Sequence, residues 1–331
     1  MRESQIILVE GMPGTGKSSV AQFIDRQLRF NGAPSRWQHE ERADHPVRLF
    51  YDSKRHKSWS DYIAEAESMW LHFSQIVQLS DRVVVLDAAV LQNHVRSMLL
   101  FGCDWNPILD LVHRIENILA PLNPTWIYLK PSNIEQNFQR VIQSRGQALM
   151  DLWLSAQERF PYASKVKEAG FAGFIAFWNE FDQISDRIFE GLNGEKLKLN
   201  VTGDNWKNSL KEVVTFFEFP TSVEASATQA LQRYVGHYVP THDECASDFE
   251  VRFEDGWLII IFPHPNFDAT AGPIGCFTET RLIPNGASQF LVAGWPHEIE
   301  FTEDSAGNVI NALLSVTAEG WPNSTQAFFS A

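Results

Sequence analysis

"ILVEGMPGTGKSSVAQFI", residues 7–24, decides the fold. It begins as an apolar run, turns through three glycines, and continues with helical spacing at Val20, Phe23 and Ile24. Strand, glycine-rich turn and helix in that order place a helix N-terminus at the turn. Within it, "GMPGTGKS" (11–18) fits GxxxxGK[ST] without a gap. Glycines let the backbone turn with its N–H groups pointing inward, a nest for phosphate oxygens. Those donors and the positive end of the following helix attract anions. Lys17 is expected to reach the β- and γ-phosphates of ATP or another NTP, and Ser18 to ligate Mg²⁺. The expected nucleotide-binding set is Gly11, Gly14, Thr15, Gly16, Lys17, Ser18 and Ser19. An ordinary βα turn gives no packing reason for Lys and Ser at the helix start.

The pattern repeats outward from this stretch. "PSRWQHE" reads as a second strand, and residues 58–80 as the clearest helix, with Trp59, Tyr62, Ile63, Ala66, Trp70, Phe73 and Val77 on one stripe. "RVVVLDA" (82–88) is a β-branched run ending in Asp87, as in a central parallel strand. Helical segments follow near 90–101 and 106–120, then a strand, "PTWIYLKP". A helix begins after Ser132, read as its cap, and others lie near 171–191 and at "WKNSLKEVVTFFE". "EKLKLNVTG" is the last strand of this part. Strands alternating with helices imply a mostly parallel α/β sheet with helices on both faces. After about residue 221 the style changes to short alternating runs broken by Asp-Gly, Asn-Gly and Ala-Gly, the pattern of antiparallel hairpins. Only 226–237 reads as helical there. The expected domains are therefore 1–220 and 221–331.

Composition limits the partners. The chain has 331 residues, 44% hydrophobic, with a formal net charge of −14 from 27 basic and 41 acidic side chains. A nucleic-acid backbone binder would usually be basic, so nucleic acid is not expected as a main partner. The three cysteines, Cys103, Cys245 and Cys276, are far apart and form no CxxC. That suits a reducing cytoplasmic setting without a disulfide framework or zinc site. No signal peptide is visible at the start, and no apolar run reaches membrane-spanning length.

Residues 4–218 resemble the P-loop nucleoside and nucleotide kinases, in particular the thymidylate-kinase-like group and related small-molecule kinases. The glycine loop carries most of the resemblance. "DRVVVLDAA" adds an acid at a central strand end, where the family's carboxylate holds the metal-bound water or assists as base; Asp87 matches. "PTWIYLKPSNIEQNFQRVIQSRG" matches the strand, helix and arginine-bearing lid, implying that Arg140 and Arg145 neutralise charge on the transferring phosphoryl group. "KLNVTGDNWKNSLKEV" matches the last strand and adenine-flanking loop, implying base contacts near Thr202 and Gly203. By the same resemblance the phosphate acceptor sits among "WQHEERADH" (37–45), the aromatic helix and "AAVLQNHVR" (88–96). Glu40, Glu41 and Asp44 are the candidate carboxylates there, with Glu40 the choice for orienting the acceptor hydroxyl. The family's Asp-Arg-Tyr or Glu-Arg-Ser signature is replaced by "DAAVLQNHV", which weakens thymidylate and ordinary deoxynucleosides as substrates. The basic stretch at Arg48, Lys54, Arg55 and Lys57 reads as solvated rather than phosphate-binding.

Residues 226–331 hold no catalytic constellation. Their hairpins are similar to small lipocalin-like barrels, implying a module that packs on the first domain, mediates homo-oligomers or binds a ligand. Two functions follow. The first is an ATP- and Mg²⁺-dependent kinase for a small hydroxyl- or phosphate-bearing acceptor. The second is a nucleotide-binding regulator whose C-terminal domain engages a protein partner.

Overall fold

The computed structural model describes residues 4–40, 45–165, 168–202, 206–220, 231–241, 248–254, 256–262, 279–285, 288–295, 297–316 and 327–330. Five strands, β1 (Ile6–Gly11), β2 (Ser35–Gln38), β3 (Val83–Asp87), β4 (Thr125–Pro131) and β5 (Glu195–Val201), form one sheet in the order β2-β3-β1-β4-β5. Every pair is parallel. The run "IILVEG" is buried along its whole length, as a strand covered on both faces must be.

Side-chain alternation assigns the helices to faces. Ile7 and Val9 of β1 and Ile127 and Leu129 of β4 join α1 (Lys17–Phe30) and α8 (Trp206–Phe217) in one apolar cluster with Val20, Ile24, Val213 and Phe217. Tyr128 points the other way, onto α7 (Gly170–Gly191). Its hydroxyl donates to Asp182 at 2.9 Å and its ring lies 5.4 Å from Phe189. Helices thus cover both faces of the parallel sheet, an α/β arrangement. The long helix α2 (Trp59–Gln78) starts at Ser58, which exchanges hydrogen bonds with Asp61 in a capping box.

Three local readings differ from the sequence expectation. The helix after β4, α5 (Ile134–Arg145), is capped by Asn133, whose side chain accepts from Gln136 N–H at 2.9 Å, and not by Ser132. The expectation omits a further helix, α6 (Gln147–Gln157). Gly146 ends α5 with φ +87° and donates to Ile142 O at 2.8 Å, after which the chain turns helical at once. No loop composition marks such a junction. The stretch read as helical at 226–237 shows only a 3₁₀ turn at Gln232–Tyr234 and then a strand, with 226–230 outside the described residues.

The remaining strands, β6 (Gly236–Pro240), β7 (Phe249–Glu254), β8 (Trp257–Ile261), β9 (Glu279–Pro284), β10 (Gln289–Val292), β11 (His297–Glu303), β12 (Val309–Val316) and β13 (Ala327–Ser330), close an antiparallel barrel. Closure comes from β13 pairing with β6, Phe329 opposite Pro240. The β11–β12 hairpin is set by Asp304, whose carboxylate accepts from Ala306 N–H and Asn308 N–H, and by Gly307 at φ +83°. Aromatic rings make the barrel core. Phe301 lies 4.8 Å from Tyr234 and 5.6 Å from Phe290, and Phe249 lies 4.6 Å from Phe329.

The described residues divide into two compact units. Residues 4–40, 45–140 and 150–220 form the first; the barrel, with residues 141–149, forms the second. The boundary expected near 221 falls in 221–230, outside the described residues. No described helix is long and apolar enough to cross a membrane.

The barrel core yields a direct test. Phe301→Ala removes a ring that is 2% exposed, and a cost of about 3–5 kcal/mol is expected for such a truncation. Urea unfolding followed by tryptophan fluorescence measures it. A change below about 1 kcal/mol would show that the barrel does not depend on this ring.

Candidate functional site

The C-terminal ends of parallel strands are where loops gather in an open α/β sheet. Here that edge presents Gly11, Gln38, Asp87 and Pro131. The glycine loop curls around one carbonyl. Met12 O accepts from Thr15 Oγ1 at 2.9 Å and from Lys17 Nζ at 3.2 Å. Gly14 and Gly16 take φ +84° and +87°, which side chains resist. A Cβ on Gly11 would stand 2.6 Å from Leu129 O and 3.0 Å from Thr15 Oγ1, so the first glycine is fixed by close backbone approach.

Gly16 offers no side-chain cap, and the first turn of α1 carries no acid of its own. Its first amides and the helix dipole therefore face whatever the loop encloses. Lys17 is buried, and Ser18 and Ser19 are half-buried.

Asp87 is fully buried at the end of β3. Neither carboxylate oxygen completes a hydrogen bond among the described residues, although the Ser18 hydroxyl and the Glu40 backbone lie close enough to draw its pKa down. Burial, and then the nearby charge of Glu40, dominate and push that pKa up to about 7. A buried carboxyl without a completed partner is costly, and a cation beside Ser18 would satisfy it. Among the described residues no group of three His, Cys, Asp or Glu side chains could cage a metal.

The two expected acceptor stretches meet. Gln92 Nε2 donates to Glu40 Oε2 at 2.5 Å, Asn93 Nδ2 to Val47 O at 3.2 Å, and Arg48 Nη1 to Glu40 O at 3.0 Å. Glu41 and Asp44 lie outside the described residues. His94 is held in a buried chain. Trp70 Nε1–H donates to its Nε2 at 2.9 Å, so Nδ1 carries the proton and faces Tyr62 Oη at 2.9 Å. Tyr62 in turn donates to Leu49 O at 3.1 Å. Burial and the neighbouring His45 push the His94 pKa down to about 3, so it stays neutral. In the basic stretch, Arg55 pairs with Glu65 and Lys57 donates to Lys54 O at 2.8 Å.

Other expected residues are less gathered. Arg140, on α5, is half-buried and makes no ion pair among the described residues. Arg145 belongs with the barrel unit, its guanidinium carbon 5.6 Å from the Trp295 ring centroid. Thr202 is exposed just past β5, and Gly203 lies outside the described residues.

Two residues escaped the sequence reading. Asn137, fully buried on α5, donates from Nδ2 to Pro13 O at 2.8 Å, tying that helix to the glycine loop. Glu10 is buried at the end of β1, both oxygens held by backbone N–H groups of Val90 and Leu91. Its signal was visible: an acid within the apolar run "IILVEG".

No protein-family model and no curated protein matches this chain. Among solved structures, a thymidylate kinase from Candida albicans with broad substrate specificity is similar over 67% of this chain and 96% of that chain. The identity is 15% and the TM-score 0.40.

The raised carboxyls predict a pH dependence. Asp87 and Glu10 each hold a proton up to about pH 7 when folded but only to about pH 4 when unfolded. The folded state therefore binds more protons between those values, and its stability falls as pH rises through that window, the loss being complete above about pH 7. Thermal unfolding of the ligand-free protein at pH 5 and pH 8 checks this. Asp87→Asn is expected to shrink the difference; an unchanged difference would contradict the assignment of the shift to Asp87.

Proposed function

We propose that the chain is an ATP-dependent phosphotransferase acting on a small hydroxyl- or phosphate-bearing acceptor, such as a nucleoside, nucleotide or antibiotic. The observation that carries this reading is the pairing of the glycine loop with a buried, unsatisfied Asp87 beside Lys17 and Ser18. Backbone N–H groups from Gly14 to Lys17, with Ser19 at the helix start, bind the donor phosphates. Mg²⁺, held by Ser18 and Asp87, would supply charge neutralisation across the β- and γ-phosphates. Thr202 and Gly203 border the base.

Lys17 offsets the negative charge that builds on the transferring group, helped by Arg140. Glu40 orients the acceptor and is itself oriented by Gln92. A transition state with little bonding to either oxygen asks more for positioning than for proton removal, so a carboxylate fixed by a neighbouring amide suits the task. The hydroxyl proton passes to Glu40 or to solvent as the new P–O bond forms and the ADP oxygen leaves. The unit that carries the parallel sheet holds this chemistry in our reading, and the barrel unit is a second module.

Incubating the protein with ATP, Mg²⁺ and a panel of nucleosides, nucleotides, sugars and antibiotics tests the proposal. Acceptor-dependent ADP release is expected, with Lys17→Ala folded and at least about a hundredfold slower, the scale on which loss of a charge-stabilising group acts. Tight nucleotide binding with no acceptor effect would point instead to a nucleotide-dependent regulator. An unchanged rate in the Lys17 variant would remove the site assignment.

A further inference from the structure

We infer that Glu10 is a positioning residue, which caps the helical turn after β3 and so fixes where the acceptor-side residues stand relative to the glycine loop. The turn begins abnormally. Asp87 is followed by Ala88 at φ +56°, a left-handed conformation that a residue with a Cβ adopts at a cost. Ala88 N–H donates to Val9 O at 2.9 Å, which ties this residue to β1. The chain then enters a π-helical turn at Val90–Val95, continued by α3 (Arg96–Leu100). Such wide turns are uncommon and gather at functional sites.

A helix start leaves its first amides without intrahelical partners. Here no side chain of the turn itself serves as cap. Glu10 serves from eighty residues away in sequence. Its Oε1 accepts from Val90 N–H at 2.6 Å and its Oε2 from Leu91 N–H at 3.0 Å. Val90 and Leu91 are themselves buried, so water does not replace the carboxylate easily. When Glu10 is ionised the helix dipole adds to the attraction, because the negative group then sits at its positive end.

The consequence reaches both halves of the site. Gly11, the next residue, opens the glycine loop. Gln92, the residue after Leu91, holds Glu40. One buried carboxylate therefore joins the strand that carries the phosphate loop to the turn that orients the acceptor carboxylate. Lys17 also lies near enough to act on Glu10 electrostatically. Glu10 could therefore serve the nucleotide through Lys17 instead, and the experiment is designed to separate the two.

Glu10→Gln keeps the shape but gives one of the two amides a donor in place of an acceptor. Backbone amide exchange, resolved to residues 88–95, is measured in both proteins, with Mg·ATP affinity measured alongside. The expected result is at least tenfold faster exchange at Val90 and Leu91 in the variant, with ATP affinity within twofold of wild type. Where the acceptor panel has supplied a substrate, its KM should rise at least tenfold with a smaller change in kcat. That last arm rests on the kinase reading; the first two need no acceptor, so failure of that reading leaves them decisive. Unchanged exchange, or a loss of ATP affinity that parallels faster exchange, would overturn the inference. Should the variant not fold, wild-type exchange still decides: Val90 and Leu91 amides exchanging at the rate of an unprotected chain would equally overturn it.

Discussion

The structure depends on burying charge at the end of β1. Lys17, Glu10 and Asp87 are all at most 4% exposed, and Lys17 acts electrostatically on both acids. Such a cluster is expensive in a low-dielectric interior and adds nothing obvious to stability. Each member relieves it differently. Lys17 leans on the Met12 carbonyl, Glu10 takes two backbone amides, and Asp87 is left with the least. The raised pKa values of the acids are the sign of this unrelieved cost. A bound polyphosphate with its cation would give Asp87 the partner it lacks.

Irregular backbone sets the sheet edge apart from the barrel. Among the described residues the barrel core is filled by aromatic rings and aliphatic side chains. Its ionic contacts, such as Arg252 with Glu250, lie on the exposed face. The parallel sheet instead ends in glycines, an αL alanine and a π-helical turn, local choices that disagree with regular packing. Departures of this kind are where function is to be sought.

Much of the fold could be read from local pattern. "IILVEG", "VVVLD" and "TWIYLKP" are continuous apolar runs, and continuous runs flanked by helices specify parallel strands. The glycine loop was legible because each of its residue types has a physical task. The barrel was expected from the likeness of its hairpins to lipocalin-like barrels, but its closing pair was not, since β13 with β6 joins residues about ninety positions apart and leaves no local trace. Helix α6 was hidden by the immediate restart after Gly146. At the site, Asp87 was legible from its place at a strand end, whereas the capping role of Glu10 needs a contact across eighty residues. Asn137 carried no signal beyond an amide on an apolar stripe.

In the proposed function, the glycine loop and Asp87 together hold a nucleoside triphosphate with its cation. Calorimetric titration of ATP with and without Mg²⁺ tests it most directly. One site per chain is expected, tightened at least tenfold by Mg²⁺, with that tightening lost in Asp87→Asn. ATP that fails to bind, or that binds equally well without Mg²⁺, would contradict it.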